Sequence, residues 1–325
     1  MTSSLAKKLR RTLLGLGVIA TLAGIGFLYF RYFTPEKRIV RHHLSETDAK
    51  SEASIRARLK PLAELFAKGR KGAKGFAQDA LSLDSKWQLV KGTVCQDESH
   101  RKFLAEAFAR HVFSSDELKG AMESAVRAYL DDVEGYESEM LVKLRADLAD
   151  PARTGELLPA HLQRDEEFRR EYQKLSGRLV NELRLDLGVS VGREVGVMVA
   201  STAAAQIAMQ AARAAATELG ISAGLLGTGT ASSIATLGVG TILMFIIDYI
   251  VGEVFKAVGY DPEAKIETLV CESINKMEAA LTSDSGVFWM NKKGSLRERM
   301  EQLHESRSTL RRATITRLLK DGGLK

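Results

Sequence analysis

The sequence predicts an all-α protein: an N-terminal transmembrane helix, then a multi-helix domain with a Gly/Ala-rich, tightly packed helix pair and a C-terminal helical hairpin. Three observations predict it. Apolar residues recur at steps of three and four along most of the 325 residues, the period of an amphipathic helix. Prolines number only five and aromatics are 6%. An uncharged apolar run opens the chain, and a stripe of Gly and Ala at every fourth position lies beyond its middle. The organisation read from this is 1–33 anchor, 34–186 amphipathic helices, 187–260 Gly/Ala-rich apolar helices and 261–325 helical hairpin.

The run "LLGLGVIATLAGIGFLYF", residues 13–30, covers about 27 Å as a helix, close to a bilayer core. Tyr29, Phe30, Tyr32 and Phe33 suit the interface. A cleavable signal peptide ends in small residues, whereas this run ends in bulky aromatics, which points to an uncleaved signal anchor. Four basic residues precede it (Lys7, Lys8, Arg10, Arg11) and four follow (Arg31, Lys37, Arg38, Arg41), so charge orients it only weakly. The default for such an anchor is amino end inside. The expectation is a bacterial inner (cytoplasmic) membrane protein with its bulk extracytoplasmic.

The net charge is +6 but unevenly placed. Residues 1–45 hold eight Lys/Arg against one acid, and 291–325 hold ten against four. The middle is therefore acidic. It has no basic stripe interleaved with aromatics, so nucleic acid is not an expected partner; the lipid bilayer is, with a second copy or another membrane protein as further candidates. Cys95 and Cys271 form no CxxC or Cys/His cluster, so no zinc site is expected. They read as two unrelated small residues rather than a disulfide.

Thr34-Pro35-Glu36 starts a helix, Thr as N-cap and Pro at the first helical position. Residues 51–84 continue helically through Ile55, Leu59, Leu62, Leu65 and Phe66, with a break expected at Pro61. "KGRKGAKG", residues 68–75, lacks the Ser/Thr and preceding strand of a P-loop and reads as a solvated helix end or loop. Residues 98–113 form a helix with Phe103, Leu104, Ala107 and Phe108 on one face. Ser115-Asp116-Glu117 cap a longer one over 116–149, with Leu118, Met122, Ala125, Tyr129, Val133, Tyr136, Met140 and Leu144 inward. Its acidic run 131–140 (Asp131, Asp132, Glu134, Glu137, Glu139) lacks cation-loop spacing and reads as a solvated face. Asp150-Pro151 end this helix, and another begins near Ala160.

Gly188, Gly192, Gly196, Ala200, Ala204, Ala208, Ala212, Ala216, Gly220 and Gly224 make the small-residue stripe, a glycine zipper in outline. A side-chain-poor seam lets a second helix approach closely. The seam drifts about 40° per step in an ideal helix, so one straight partner cannot follow all ten positions. Ser190, Glu194, Thr202, Gln206, Gln210 and Glu218 form a polar row beside it. Residues 221–247 carry no charge and meet the length of a span, with 234–255 the strongest piece. Three arrangements fit: both helices buried in a soluble helical domain, both inserted as a hairpin, or only 234–255 spanning. Asp248 is the notable ionisable group there; it pairs with Arg193 or Arg213, faces water at a helix edge, or serves ion conduction.

Asp261-Pro262-Glu263 start a helix with Ile266, Leu269, Val270, Ile274, Met277 and Leu281 on one stripe. Ser295-Leu296-Arg297-Glu298 is a capping box opening a last helix with Leu296, Met300, Leu303 and Leu310 at coiled-coil-like steps. Arg297, Arg307, Arg311 and Arg312 read as an exposed basic face that meets lipid headgroups or an acidic partner, or is simply solvated.

"AYLDDVEGYESEMLVKLRADL" (128–148), "GVGTILMFIIDYIVGEVF" (238–255) and "GSLRERMEQLHESR" (294–307), together with the anchor, resemble uncharacterised bacterial membrane proteins. That resemblance implies no catalytic residue and no cofactor. His42, His43, His100, His111, His161 and His304 show no ligand spacing, and no Ser/His/Asp order has local support. The expected function is therefore not enzymatic. It is a membrane-anchored structural or interaction role, the alternative being a pore-like or ion-conducting protein using the Gly/Ala hairpin and Asp248.

Overall fold

The computed structural model describes residues 35–82, 99–154, 159, 162–182, 197–218, 262–282 and 294–321. All regular elements among them are helical: α1 Pro35–Ala80, α2 Ser99–His111, α3 Ser115–Ala149, α4 Pro151–Thr154, α5 Asp165–Glu182, α6 Val197–Glu218, α7 Pro262–Thr282 and α8 Leu296–Asp321. None of these helices is long and apolar enough to cross a membrane. The apolar runs 13–30 and 221–255 lie outside the described residues.

Helix α1 begins at Pro35, where a missing N–H costs nothing. It runs 46 residues, about 69 Å at the α-helical rise. The break expected at Pro61 does not occur. Pro61 is exposed, so water can satisfy the carbonyl its ring leaves unbonded. Leu59, Leu62 and Phe66 on either side are buried in one core, and their packing carries the helix across.

The solvated end expected for residues 68–75 is also corrected: the segment is the interior of α1. Gly69, Gly72 and Gly75, three apart, line the face on which the corner after α2 rests. A Cβ at Gly69 would stand 3.0 Å from Phe113 and Val112 side-chain atoms, and one at Gly75 2.7 Å from His111 Nδ1. Lys68, Lys71 and Lys74 remain exposed. Phe66, Phe113, Phe108 and Phe76 then meet edge to face in sequence, with centroids 5.8, 5.6 and 5.5 Å apart, the geometry aromatic quadrupoles favour.

Ser114, one residue earlier than expected, caps α3. Its hydroxyl accepts from the Glu117 N–H at 3.1 Å, and the Glu117 carboxylate accepts from the Ser114 N–H at 2.8 Å, a reciprocal capping box. At the far end the Asp150 carboxylate accepts from the Ala152 N–H at 3.0 Å and opens the single turn of α4. Helix α5 starts at Asp165 rather than near Ala160; Asp165, Glu166 and Glu167 place three carboxylates in its first turn, where the helix dipole favours them. At α8 the Ser295 hydroxyl accepts from the Glu298 N–H at 3.0 Å, as the motif requires, while the Glu298 carboxylate reaches the Gly294 N–H at 2.7 Å. Gly294 has φ +112°, and a Cβ there would stand 3.1 Å from that of Ala214.

The chain divides into two units, each assembled from separated segments. One comprises Met1–Thr47, Glu137–Ser176 and Arg311–Lys325; the other comprises Asp48–Tyr136 and Gly177–Leu310. The core of the smaller unit gathers Leu44, Met140, Leu144, Leu148, Phe168, Tyr172, Ile315 and Leu318. The core of the larger draws on α1, α2, α3, α6, α7 and the first turns of α8.

Candidate functional site

Within the larger unit, Ala204, Ala208, Ala212 and Ala216 of the small-residue stripe are fully buried, as are Ala211 and Ala215 beside them. Their helix α6 packs on α7, whose Ile266, Val270, Ile274, Met277 and Leu281 join the same core. An alanine surface carries no rotamer freedom to lose and permits close approach, which gives dense packing. Ala200 lies in α6 as well. Gly188, Gly192, Gly196, Gly220, Gly224, Arg193 and Asp248 lie outside the described residues. Arg213 is half-buried, and its guanidinium donates to the Met209 sulfur at 3.4 Å.

Charged groups link helices far apart in sequence. In the larger unit, Arg58 grips Asp132 with two bonds, 2.7 and 2.6 Å, and the Ser54 hydroxyl donates to the same carboxylate. The Arg58 guanidinium, with help from Ser54, holds the Asp132 carboxyl below its usual range; Asp132 in turn raises Arg58. Arg70 of α1 reaches Glu278 of α7 and, at 3.2 Å, Asn275. The Ser114 N–H, then Lys68, lowers the Glu117 carboxyl. His111 donates from Nε2 to Asp79 at 2.9 Å, and Arg110 joins the same oxygen at 3.1 Å. Cys271 is a free, half-buried thiol against the Arg70 carbonyl, 3.9 Å away; burial pushes its pKa up. Cys95 lies outside the described residues.

In the smaller unit, Arg311 is fully buried and donates to Glu137 at 3.1 Å. This corrects its assignment to an exposed basic face. The reason is positional: Arg311 falls in register with Thr314, Ile315 and Leu318 on the buried side of α8. Arg297 is also engaged, with Glu301 at 2.8 Å, leaving Arg312 exposed. His43, also buried, donates to Asp147 at 2.8 Å, and Arg153 binds the other oxygen of that carboxylate. The acidic run on α3 is accordingly split. Asp131, Glu134 and Glu139 are exposed, whereas Asp132 and Glu137 turn inward to arginines. Sequence reasoning missed both His–Asp pairs, because the partners lie 104 and 32 residues away.

These pairs clamp helices together. Among the described residues, no three His, Cys, Asp or Glu converge to hold a metal ion. A shallow open groove of about 540 Å³ lies on α8, lined by Arg312, Ala313, Thr316, Arg317 and Lys320. It is cationic and has no large apolar lining.

No family model matches the chain, and neither the curated proteins nor the solved structures contain a significant match.

Proposed function

We propose that this chain is a membrane-anchored, all-helical protein with a structural or interaction role, held to a bacterial inner membrane by residues 13–30 with its bulk extracytoplasmic. The observation that carries this reading is the path of α1. It starts at Pro35, two residues beyond the aromatic end of the apolar run at Phe33. It then supplies core residues to both units, Leu44 to one and Ile55, Leu62, Phe66 and Phe76 to the other. A helix used in this way ties both units to whatever holds its first turn.

The buried alanine face of α6 gives further support. Its side chains meet protein in this chain, which favours a packing role for the stripe over lipid insertion. The conducting alternative depends on Asp248 and gains no such support. Partners in keeping with the proposal are the bilayer, a second copy or another membrane protein.

The test is alkaline carbonate extraction of membranes carrying the full chain, beside Ile19→Arg/Leu22→Arg. The native chain is expected to stay in the pellet and the variant to be released as a discrete soluble protein. A native chain released by carbonate would sink the anchor; a variant that still needs detergent would place a second segment in lipid.

A further inference from the structure

We propose that the smaller unit carries a cationic face that docks on anionic lipid headgroups, formed by Lys37, Arg38 and Arg41 of α1 with Arg312, Arg317 and Lys320 of α8. The inference rests on the anchor proposed above and names what the anchored protein meets at the bilayer surface.

All six side chains are exposed. They flank one small core: Ile39 and Val40 of α1 and Ile315, Leu318 and Leu319 of α8 belong to the same cluster. The first turns of α1 and the last turns of α8 are thereby brought into one unit. Little opposes their charge. Glu36 is the sole acid in residues 35–45, and residues 311–320 contain none. Arg311, the fourth cation of that stretch, is spent inside on Glu137.

Two arguments favour lipid over an acidic protein. Arg41 lies eight residues past Phe33, at most about 12 Å of helix from the end of the apolar run, and a charge at that height is within reach of a surface potential screened over about 8–10 Å. The groove on α8 is lined by Arg312, Ala313, Thr316, Arg317 and Lys320. It lacks the apolar or aromatic anchor pocket on which protein interfaces concentrate their affinity. Headgroup attraction needs only clustered cations near the surface.

The experiment uses the full chain in nanodiscs of phosphatidylcholine alone or mixed with phosphatidylglycerol, and reads tryptic cleavage after each of the six residues by mass spectrometry. Cleavage is expected to slow at least tenfold in the anionic discs and to recover in high salt. Arg312→Gln/Arg317→Gln/Lys320→Gln, with unchanged far-UV circular dichroism, is expected to lose the protection at Lys37 and Arg41, at roughly fivefold per charge or about a hundredfold in all. Equal cleavage in the two lipids, with the protein co-eluting with the discs, overturns the docking face and leaves the anchor standing. A chain that enters neither disc overturns the anchor, and this inference with it. Protection that arises only on adding an acidic polypeptide overturns the lipid assignment in favour of a protein partner.

Discussion

The carbonyl oxygen of His111 stands 1.7 Å from where a Cβ on residue 72 would lie, so the corner between α2 and α3 sits directly on the backbone of α1. Three glycines in one helical stretch are unfavourable by propensity. The compensation is the corner they admit, in which Phe108, Val112 and Phe113 are all buried.

Gly72→Ala is therefore expected to destabilise the protein by about 2 kcal/mol or more, since the obstructing atoms are backbone and cannot rotate away. Gly120→Ala is the control. Nothing lies within 4 Å of a Cβ there, and the substitution is expected to add up to about 1 kcal/mol through helix propensity. Urea unfolding followed by circular dichroism measures both. Equal effects at the two positions would mean that the close approach at Gly72 does not exist.

Arg311→Met leaves the Glu137 carboxylate half-buried without its cation, at an expected cost of about 3 kcal/mol. Arg311→Met/Glu137→Leu removes both charges and is expected to recover most of that loss, because well-packed apolar pairs often replace buried ion pairs at no net cost. A double variant as unstable as the single one would show that Arg311 contributes through packing of its stem instead.

Acid stability is expected to depend on Asp132. Its carboxyl is held below the usual range by Arg58 and Ser54, so the folded state binds this proton less readily than the unfolded chain. The stabilisation is present above the unfolded value of about 3.9 and is lost as pH falls through the lower folded value. Asp132→Asn is expected to lower stability at neutral pH and to flatten its decline below about pH 4. Unfolding midpoints of the two proteins that fall in parallel across that window would refute this.

The helices were legible wherever local pattern governs. The inward positions Leu118, Met122, Ala125, Tyr129, Val133, Met140 and Leu144 of α3 are buried, and the Ser295–Glu298 cap closes at the position its motif names. Legibility failed where a distant contact outweighed local propensity. Pro61 should end a helix, but burial of Leu59 and Leu62 in one core keeps it going. The glycines of residues 68–75 read as a loop because their use depends on His111. Arg311 looked solvated because its acid lies 174 residues away. The basic groove was half visible: Arg312 was singled out, but Arg317 and Lys320 emerge only once the register of α8 fixes which arginine turns inward.

The discontinuous build of the smaller unit has a consequence for how it is made. Leu44 and Leu144 are synthesised long before Ile315 and Leu318, with which they share a core. From Leu44 to Ile315 is ~270 residues, roughly 15–50 s at ordinary translation rates. During that interval the apolar faces of α1 and α3 have no native cover from α8. The unit must therefore close after translation of almost everything else, with aggregation competing until it does. Holding such a nascent chain against a membrane would slow its encounters with other copies during that wait.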